Sequence, residues 1–379
     1  MANENLSLGY CMAKPVGLLY DNISGNIGDV AIGLSVRKIL LDIKIPFDEL
    51  VPGRFNPSDY STIIVGGGYL LRPSPDFFYD KFRVPGKHIL NTCGILGSPD
   101  DLHYLDDYEY LSVRSTGDRE KLRYLRSRVE VVPCTSMLLE EPRRYRPPVR
   151  RPSLGIHLLP GVQFLDGEKE RQFTEYVSSL KLNVYFLPIT HYAHDFEYMS
   201  QMAAEIPGAQ VLPILTAQQI FATIGKFDYF IASSLHGAIF AYVHNVPFVA
   251  FDLEKIRFFM TDRGLTRYLF GDFDDMKAAL ESALDLRPDY SSKAAADLSV
   301  LQTHVERIRE VLRSTKMKTP TVADTRATER GNLINQLNAQ VHYLQLQNAR
   351  LASDIRKNET RSRLMNQFVQ PMNRLLELY

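Results

Sequence analysis

The chain has 379 residues, 45% of them hydrophobic and 23% charged, with 44 basic side chains set against 44 acidic ones. Such a size leaves room for two cores, and a zero net charge removes the whole-molecule field that draws in nucleic acid or an anionic membrane. Three cysteines, Cys11, Cys93 and Cys134, share no metal-ligand spacing and are odd in number, so they read as core thiols in a reducing compartment. The opening MANENLSLGYCMAKP lacks a basic stretch followed by an apolar core, and no apolar run is long enough to cross a bilayer, so a cytoplasmic location is expected.

From Val16 onward short apolar runs alternate with longer segments of helical period. VGLLY, STIIV, KHILNT, YLSVR and VEVVP read as buried strands, with helices over DVAIGLSVRKILLDI and TGDREKLRYLRSR between them. This is the βαβ rhythm of a parallel sheet. At EEPRRYRPPVRRP, residues 140–152, prolines and arginines displace the periodicity and mark a boundary. The rhythm then restarts: strands SLGIHLL, NVYFLPI, AQVLPI, DYFIAS and PFVAFD, with helices over GEKERQFTEYVSSLK, DFEYMSQMAAEI and TAQQIFATIGK, an apolar helix after DYFIAS, and further helices to about residue 315. The expected fold is α/β, two Rossmann-like doubly wound units over residues 1–145 and 146–318, with a ligand cleft between their strand ends.

Residues 319–379 change character. Ile334, Leu337, Val341, Leu344, Asn348, Leu351 and Ile355 fall alternately three and four apart, a heptad seam with one polar member. A C-terminal coiled coil, and a homo-oligomer formed through residues 334–355, are expected; a helix folded back onto the body is the alternative. The final MNQFVQPMNRLLELY reads either as a peripheral contact with the inner face of the cell membrane or as a protein-docking end.

The residue that draws attention is His236, in SSLHGAIFAYVH. Ser233 and Ser234 sit in the N-cap region of a helix whose first turn holds His236 and Gly237. An anion is stabilised there by free N–H groups and the helix dipole, and Gly237 lets it approach the backbone. A histidine that simply braces a neighbouring loop is the blander reading. Asn26, Gly28 and Asp29 stand between a strand and a helix, and Gly66, Gly67 and Gly68 follow a strand directly. The triplet lacks the spacing of a nucleotide fingerprint. Asp29 reads equally as a helix cap and as an acceptor of a hydroxyl proton. In THYAHD, His191, His194 and Asp195 form a polar rim of the cleft rather than a metal site, because no further ligand is placed.

Four motifs in order, SGNIGDVAI, IIVGGGYLL, LSVRSTGD and SSLHGAIFAYVHNVPFVAFDLEK, resemble the polysaccharide pyruvyl transferase family over roughly residues 16–265. The resemblance implies a glycosyltransferase-B-like fold and transfer of the enolpyruvyl carbons of phosphoenolpyruvate to a sugar of a cell-surface polysaccharide or its lipid-linked oligosaccharide precursor. The product is a pyruvate ketal; neither metal nor cofactor is implied. It assigns His236 as the catalytic acid or as hydrogen-bond donor to the phosphate, with Ser234 and Gly237 beside it at the donor. Arg114 and Lys255 hold the donor anion, and Asn26, Asp29, Gly66 and Gly67 meet the acceptor. The chain departs from the family pattern at PCTSM, which lacks an aspartate, and at SLGIHLLPG, which lacks an arginine. Two other functions fit the same architecture: a nucleotide-sugar glycosyltransferase, which needs an acidic ribose-binding residue in the second unit, and a scaffold acting through the coiled coil.

Overall fold

Twelve strands form two separate six-stranded parallel sheets in the computed structural model, which describes residues 14–160, 165 and 167–314. The first contains β1 (Val16–Leu19), β2 (Phe47–Leu50), β3 (Thr62–Gly66), β4 (Ile89–Cys93), β5 (Tyr110–Val113) and β6 (Val129–Val131), in the order 2-1-3-4-5-6. The second contains β7 (Ser153–His157), β8 (Asn183–Phe186), β9 (Gln210–Val211), β10 (Tyr229–Ala232), β11 (Phe248–Phe251) and β12 (Leu269–Phe270), in the order 12-11-10-7-8-9. Val16 lies opposite Thr62 and Ile156 opposite Ile231, so the register brings unbroken apolar runs side by side. Strands buried on both faces need no alternation, which explains their compact V/I/L/F composition.

The helices are α1 (Ile27–Asp42), α2 (Thr116–Lys121), α3 (Gly167–Ser179), α4 (Asp195–Ala204), α5 (Ala217–Ile224), α6 (Leu235–Val243), α7 (Glu254–Asp262), α8 (Phe273–Leu286) and α9 (Ser291–Ser314). The α1 helix is apolar on more than one side because it lies on the first sheet and also against α5 of the second unit. One core therefore runs through both units, while a smaller one, with Leu50, Val65, Leu90 and Leu111, fills the far face of the first sheet.

Two local expectations change. The helix read over TGDREKLRYLRSR stops at Lys121, because Asp106 Oδ1 accepts the N–H groups of Arg126 and Ser127 at 2.8 and 2.9 Å and bends the chain away. The last helix, α9, crosses back to the first sheet: His304 lies 2.8 Å from both Asn91 Oδ1 and the Tyr110 hydroxyl. The heptad seam, the oligomer it implies, the C-terminal tail and Cys11 lie outside the described residues. Among the described residues no helix is long and apolar enough to cross a membrane.

Each sheet has one point where strand order reverses, between β1 and β3 in the first and between β7 and β10 in the second. Loops leaving neighbouring strands diverge there and open a crevice at the carboxyl ends. The segments that follow β1, β3 and β10 carry the SGNIGD, GGG and SSLHG motifs.

Candidate active site

The β1–α1 loop is wound around Asp21, whose carboxylate accepts from the N–H groups of Ile23 and Ser24 and from the Ser24 hydroxyl. Asn26 then caps α1. Its Oδ1 accepts from Gly28 N at 3.1 Å and its Nδ2 donates to Asp29 Oδ2 at 2.8 Å. Asp29 is therefore not the cap. It is buried in the first turn, and its Oδ1 has no hydrogen-bond partner. The glycine triplet packs beside it. A β-carbon on Gly68 would lie 2.1 Å from Asp29 Oδ1, and the backbone there has φ +69°. Only glycine fits both conditions.

Arg114 leaves the end of β5. Its guanidinium lies flat on Gly94, with Nε 3.8 Å from Asp118 Oδ2, Cζ 4.7 Å from the Tyr69 ring centre, and Nη2 buried without a partner. Arg72, beyond the triplet, stacks its Cζ 3.3 Å from the Tyr79 ring centre. From the second unit, β10 runs into Ser234, whose hydroxyl oxygen accepts from Gly237 N at 3.3 Å and caps α6. His236 is 7% exposed, pressed against Gly28, with Nε2 3.8 Å from Cys134 Sγ. Lys255, in the first turn of α7, places Nζ 5.6 Å from the Tyr69 ring centre. Glu254 beside it accepts from Lys121 Nζ at 2.7 Å and from the Tyr69 hydroxyl at 3.3 Å, drawing α7 onto the first unit.

These groups face one cleft. Asn26, Asp29, Arg114, Ser234, His236 and Lys255, drawn from both units, line it together, so the structure places the supposed donor and acceptor residues in a single cavity. Three expected residues do not line it. Gly66 ends β3 and faces the Asn91 amide, and Gly67 packs on Ile32, where a β-carbon would meet that side chain at 2.3 Å. Gly237 packs toward Phe230 and Ile189, and its N–H is already taken by the cap. Gly68 lines the cleft instead, as do Tyr69, Arg72 and Tyr79, which the sequence reading missed. The available signal was a cation and two aromatics following the strand-end glycines. Of THYAHD, Thr190 lines the cleft while His191, His194 and Asp195 do not: Asp195 is fully buried, and its Oδ2 accepts from Ile189 N, Thr190 N and His157 Nε2 at 2.7, 2.5 and 3.2 Å.

Charge follows from this packing. Burial first, then Arg114 and Lys255, push His236 well below its usual 6.5, so the imidazole is neutral. Burial and then Asp21 raise Asp29, against the pull of Arg114, Lys255 and Arg72, and the balance lies at about 7. Burial and Arg114 lower Lys255 to about 8. Neither Arg72 nor Lys255 has a carboxylate within ion-pair distance among the described residues. Cations gathered in one cleft without a paired carboxylate favour a small anion there.

The molecule is thus an α/β protein with two parallel sheets and a cation-lined cleft at their facing switch points. A model of the polysaccharide pyruvyl transferase family matches residues 26–254, more than half of the chain, and the chain belongs to that family. No curated protein matches it. Among solved structures it is similar to UDP-GlcNAc 2-epimerase of Methanocaldococcus jannaschii at 10% identity and TM-score 0.43, covering 77% of this chain and all of that one. It is also similar to the glycosyltransferase SnogD of Streptomyces nogalater, at 10% identity and TM-score 0.40 over 76% of this chain and 99% of that one. A third is an O-GlcNAc transferase of Thermobaculum terrenum, at 11% identity and TM-score 0.36 over 88% and 69%.

Proposed function

We propose that the cleft binds phosphoenolpyruvate and transfers its three-carbon unit to two hydroxyls of one sugar, forming a pyruvate ketal and releasing phosphate. Convergence of Arg72, Arg114 and Lys255 on one cavity carries this reading. The donor has a phosphate and a carboxylate close together, and two guanidinium forks plus an ammonium match that charge and shape. The orphaned Arg114 Nη2 gains a partner when the donor arrives. Neutral His236 offers one ring N–H as a hydrogen-bond donor without adding a charge that Arg114 and Lys255 would oppose. The acceptor in this reading is a polysaccharide repeat, carried on lipid at the cytoplasmic face of the membrane.

The test is incubation of the full chain with phosphoenolpyruvate and the host's lipid-linked oligosaccharide, following phosphate release and the mass gain of a ketal. UDP-sugars run in parallel. Phosphate release coupled to the mass gain is expected; nucleotide release with no loss of phosphoenolpyruvate overturns the assignment.

A further inference from the structure

Ketal formation needs a proton delivered to the donor's methylene carbon and protons removed from the attacking hydroxyls. The cleft offers few groups for this. The His236 ring lines the cleft but is held neutral by burial and by Arg114 and Lys255, so it offers a hydrogen bond and no imidazolium proton. The Tyr69 hydroxyl donates to Glu254, and the Ser234 hydroxyl caps α6. Lys255 holds the anion by its charge, and giving up a proton would remove that charge. Asp29 remains: it is the one carboxyl among the described lining residues, 3% exposed, with Oδ1 unpartnered and Oδ2 anchored by Asn26. Gly68, which has no β-carbon, packs directly against Oδ1, so this unpartnered oxygen is held at the cleft wall between the two loops.

Resting on the pyruvyl transfer reading above, we propose that Asp29 is a catalytic residue, the group that protonates the donor's methylene carbon and then takes the proton of the attacking sugar hydroxyl. In the first step the protonated carboxyl gives its proton to the methylene carbon; the C=C electron pair forms the new C–H bond and leaves an oxocarbenium centre. The first hydroxyl oxygen bonds to that centre and its proton returns to Asp29. The C–O bond to phosphate then breaks, with its electron pair leaving on phosphate. The second hydroxyl closes the ketal and its proton leaves on hydrogen phosphate, so Asp29 ends as it began. A carboxyl that titrates near neutrality suits both directions of transfer. The charged and titratable groups facing it are Asp21 from the β1 loop, Arg72 from the β3 loop, Arg114 after β5, His236 on α6 and Lys255 on α7. An arriving donor anion covers the three cations and favours the protonated carboxyl further.

The experiment compares wild type with Asp29→Asn in the full chain, measuring phosphoenolpyruvate Kd by calorimetry and kcat across pH 6 to 9.5. The variant is expected to keep Kd within about threefold while kcat falls at least a thousandfold. In wild type, kcat falls as pH rises through the carboxyl's donor-bound pKa, and the residual activity of D29N lacks that limb. Titration of Lys255 acts on donor binding and so moves kcat/KM instead. D29N with more than a tenth of wild-type kcat, or with the alkaline limb of kcat intact, overturns the proposal. A D29N chain that fails to fold leaves a second readout: infrared difference spectra of wild type above pH 7 gain a protonated-carboxyl band on addition of phosphoenolpyruvate, and absence of that band also overturns it. Wild type that releases no phosphate from phosphoenolpyruvate with acceptor sinks the transfer reading itself, whereas wild-type release alongside an active D29N sinks the Asp29 role alone.

Discussion

Replacing Gly28 with alanine isolates the contact on which the two halves of the cleft meet. A β-carbon at Gly28 would lie 1.8 Å from His236 Nδ1 and 2.4 Å from its Cε1. Carbon and nitrogen settle near 3.5 Å, so relief needs a movement on the order of 1.5 Å. Neither side yields easily, since Gly28 N is held by the Asn26 cap and residues Leu235 to Tyr242 of α6 are all buried. Gly28 is not among the positive-φ residues, so alanine adds no backbone strain and the ring contact alone is tested. Overpacking of this kind costs about 1–3 kcal/mol. The better helix propensity of alanine offsets ~1 kcal/mol at most. A net loss of about 1–2 kcal/mol lowers Tm by roughly 2–6 °C. Activity falls further than stability, because displacing a working group by about 1 Å reduces turnover on the order of a hundredfold. Calorimetry and phosphate-release kinetics read both effects. A G28A protein with unchanged Tm and kcat within fivefold of wild type would refute the contact between α1 and the imidazole.

Two further outcomes concern stability. Burial lowers His304 from its usual 6.5 to about 4, so the folded chain holds it neutral while the unfolded chain takes up a proton below pH 6.5. The unfolded state binds more protons in that window, so this contribution is complete above pH 6.5 and is lost as pH falls toward 4, about 3 kcal/mol in all. Urea midpoints of His304→Gln are expected to depend less steeply on pH between 4 and 6.5 than those of wild type; equal slopes would contradict the assignment. Asp195→Ala strips three buried donors, Ile189 N, Thr190 N and His157 Nε2, of their acceptor. A loss of at least about 2 kcal/mol in urea unfolding is expected, with weaker phosphoenolpyruvate binding because Ile189 and Thr190 line the cleft; a midpoint within error of wild type would show the carboxylate to be dispensable.

The alternation of the chain was legible because parallel strands, buried on both faces, leave short apolar runs whatever their neighbours. SLGIHLL and DYFIAS became β7 and β10, and Ser234 capped α6. Arg114, His236 and Lys255 are far apart in sequence yet adjoin one cavity, since each follows the carboxyl end of a parallel strand and such ends lie on one side of a sheet. Lateral geometry was not legible. Which glycine of the triplet meets the cleft depends on two successive positive φ angles, at Gly67 and Gly68, that turn the chain by one residue. Arg72 is fixed by a stacking contact with Tyr79, seven residues on, inside a loop with no periodicity to read. Asp195, at the start of α4, pairs with His157 at the end of β7, and no local pattern announces such a pair. Asn26 and Asp29, expected at the acceptor, and Arg114, expected at the donor, line the same cleft, as strand-end residues of one sheet do.

The chain travels between the sheets through residues 132–152 and comes back along α9, and these two passages touch where α9 meets the turn Thr135–Leu138. A pair of adjoining passages acts as a spine along one side of the two units. Away from it, Lys121 grips a half-exposed Glu254, and an exposed Thr116 donates to Asp262. Surface ties of that sort hold by about 1 kcal/mol or less. What seats the halves is therefore the apolar core they share through α1 and α5, which holds Gly28 against His236.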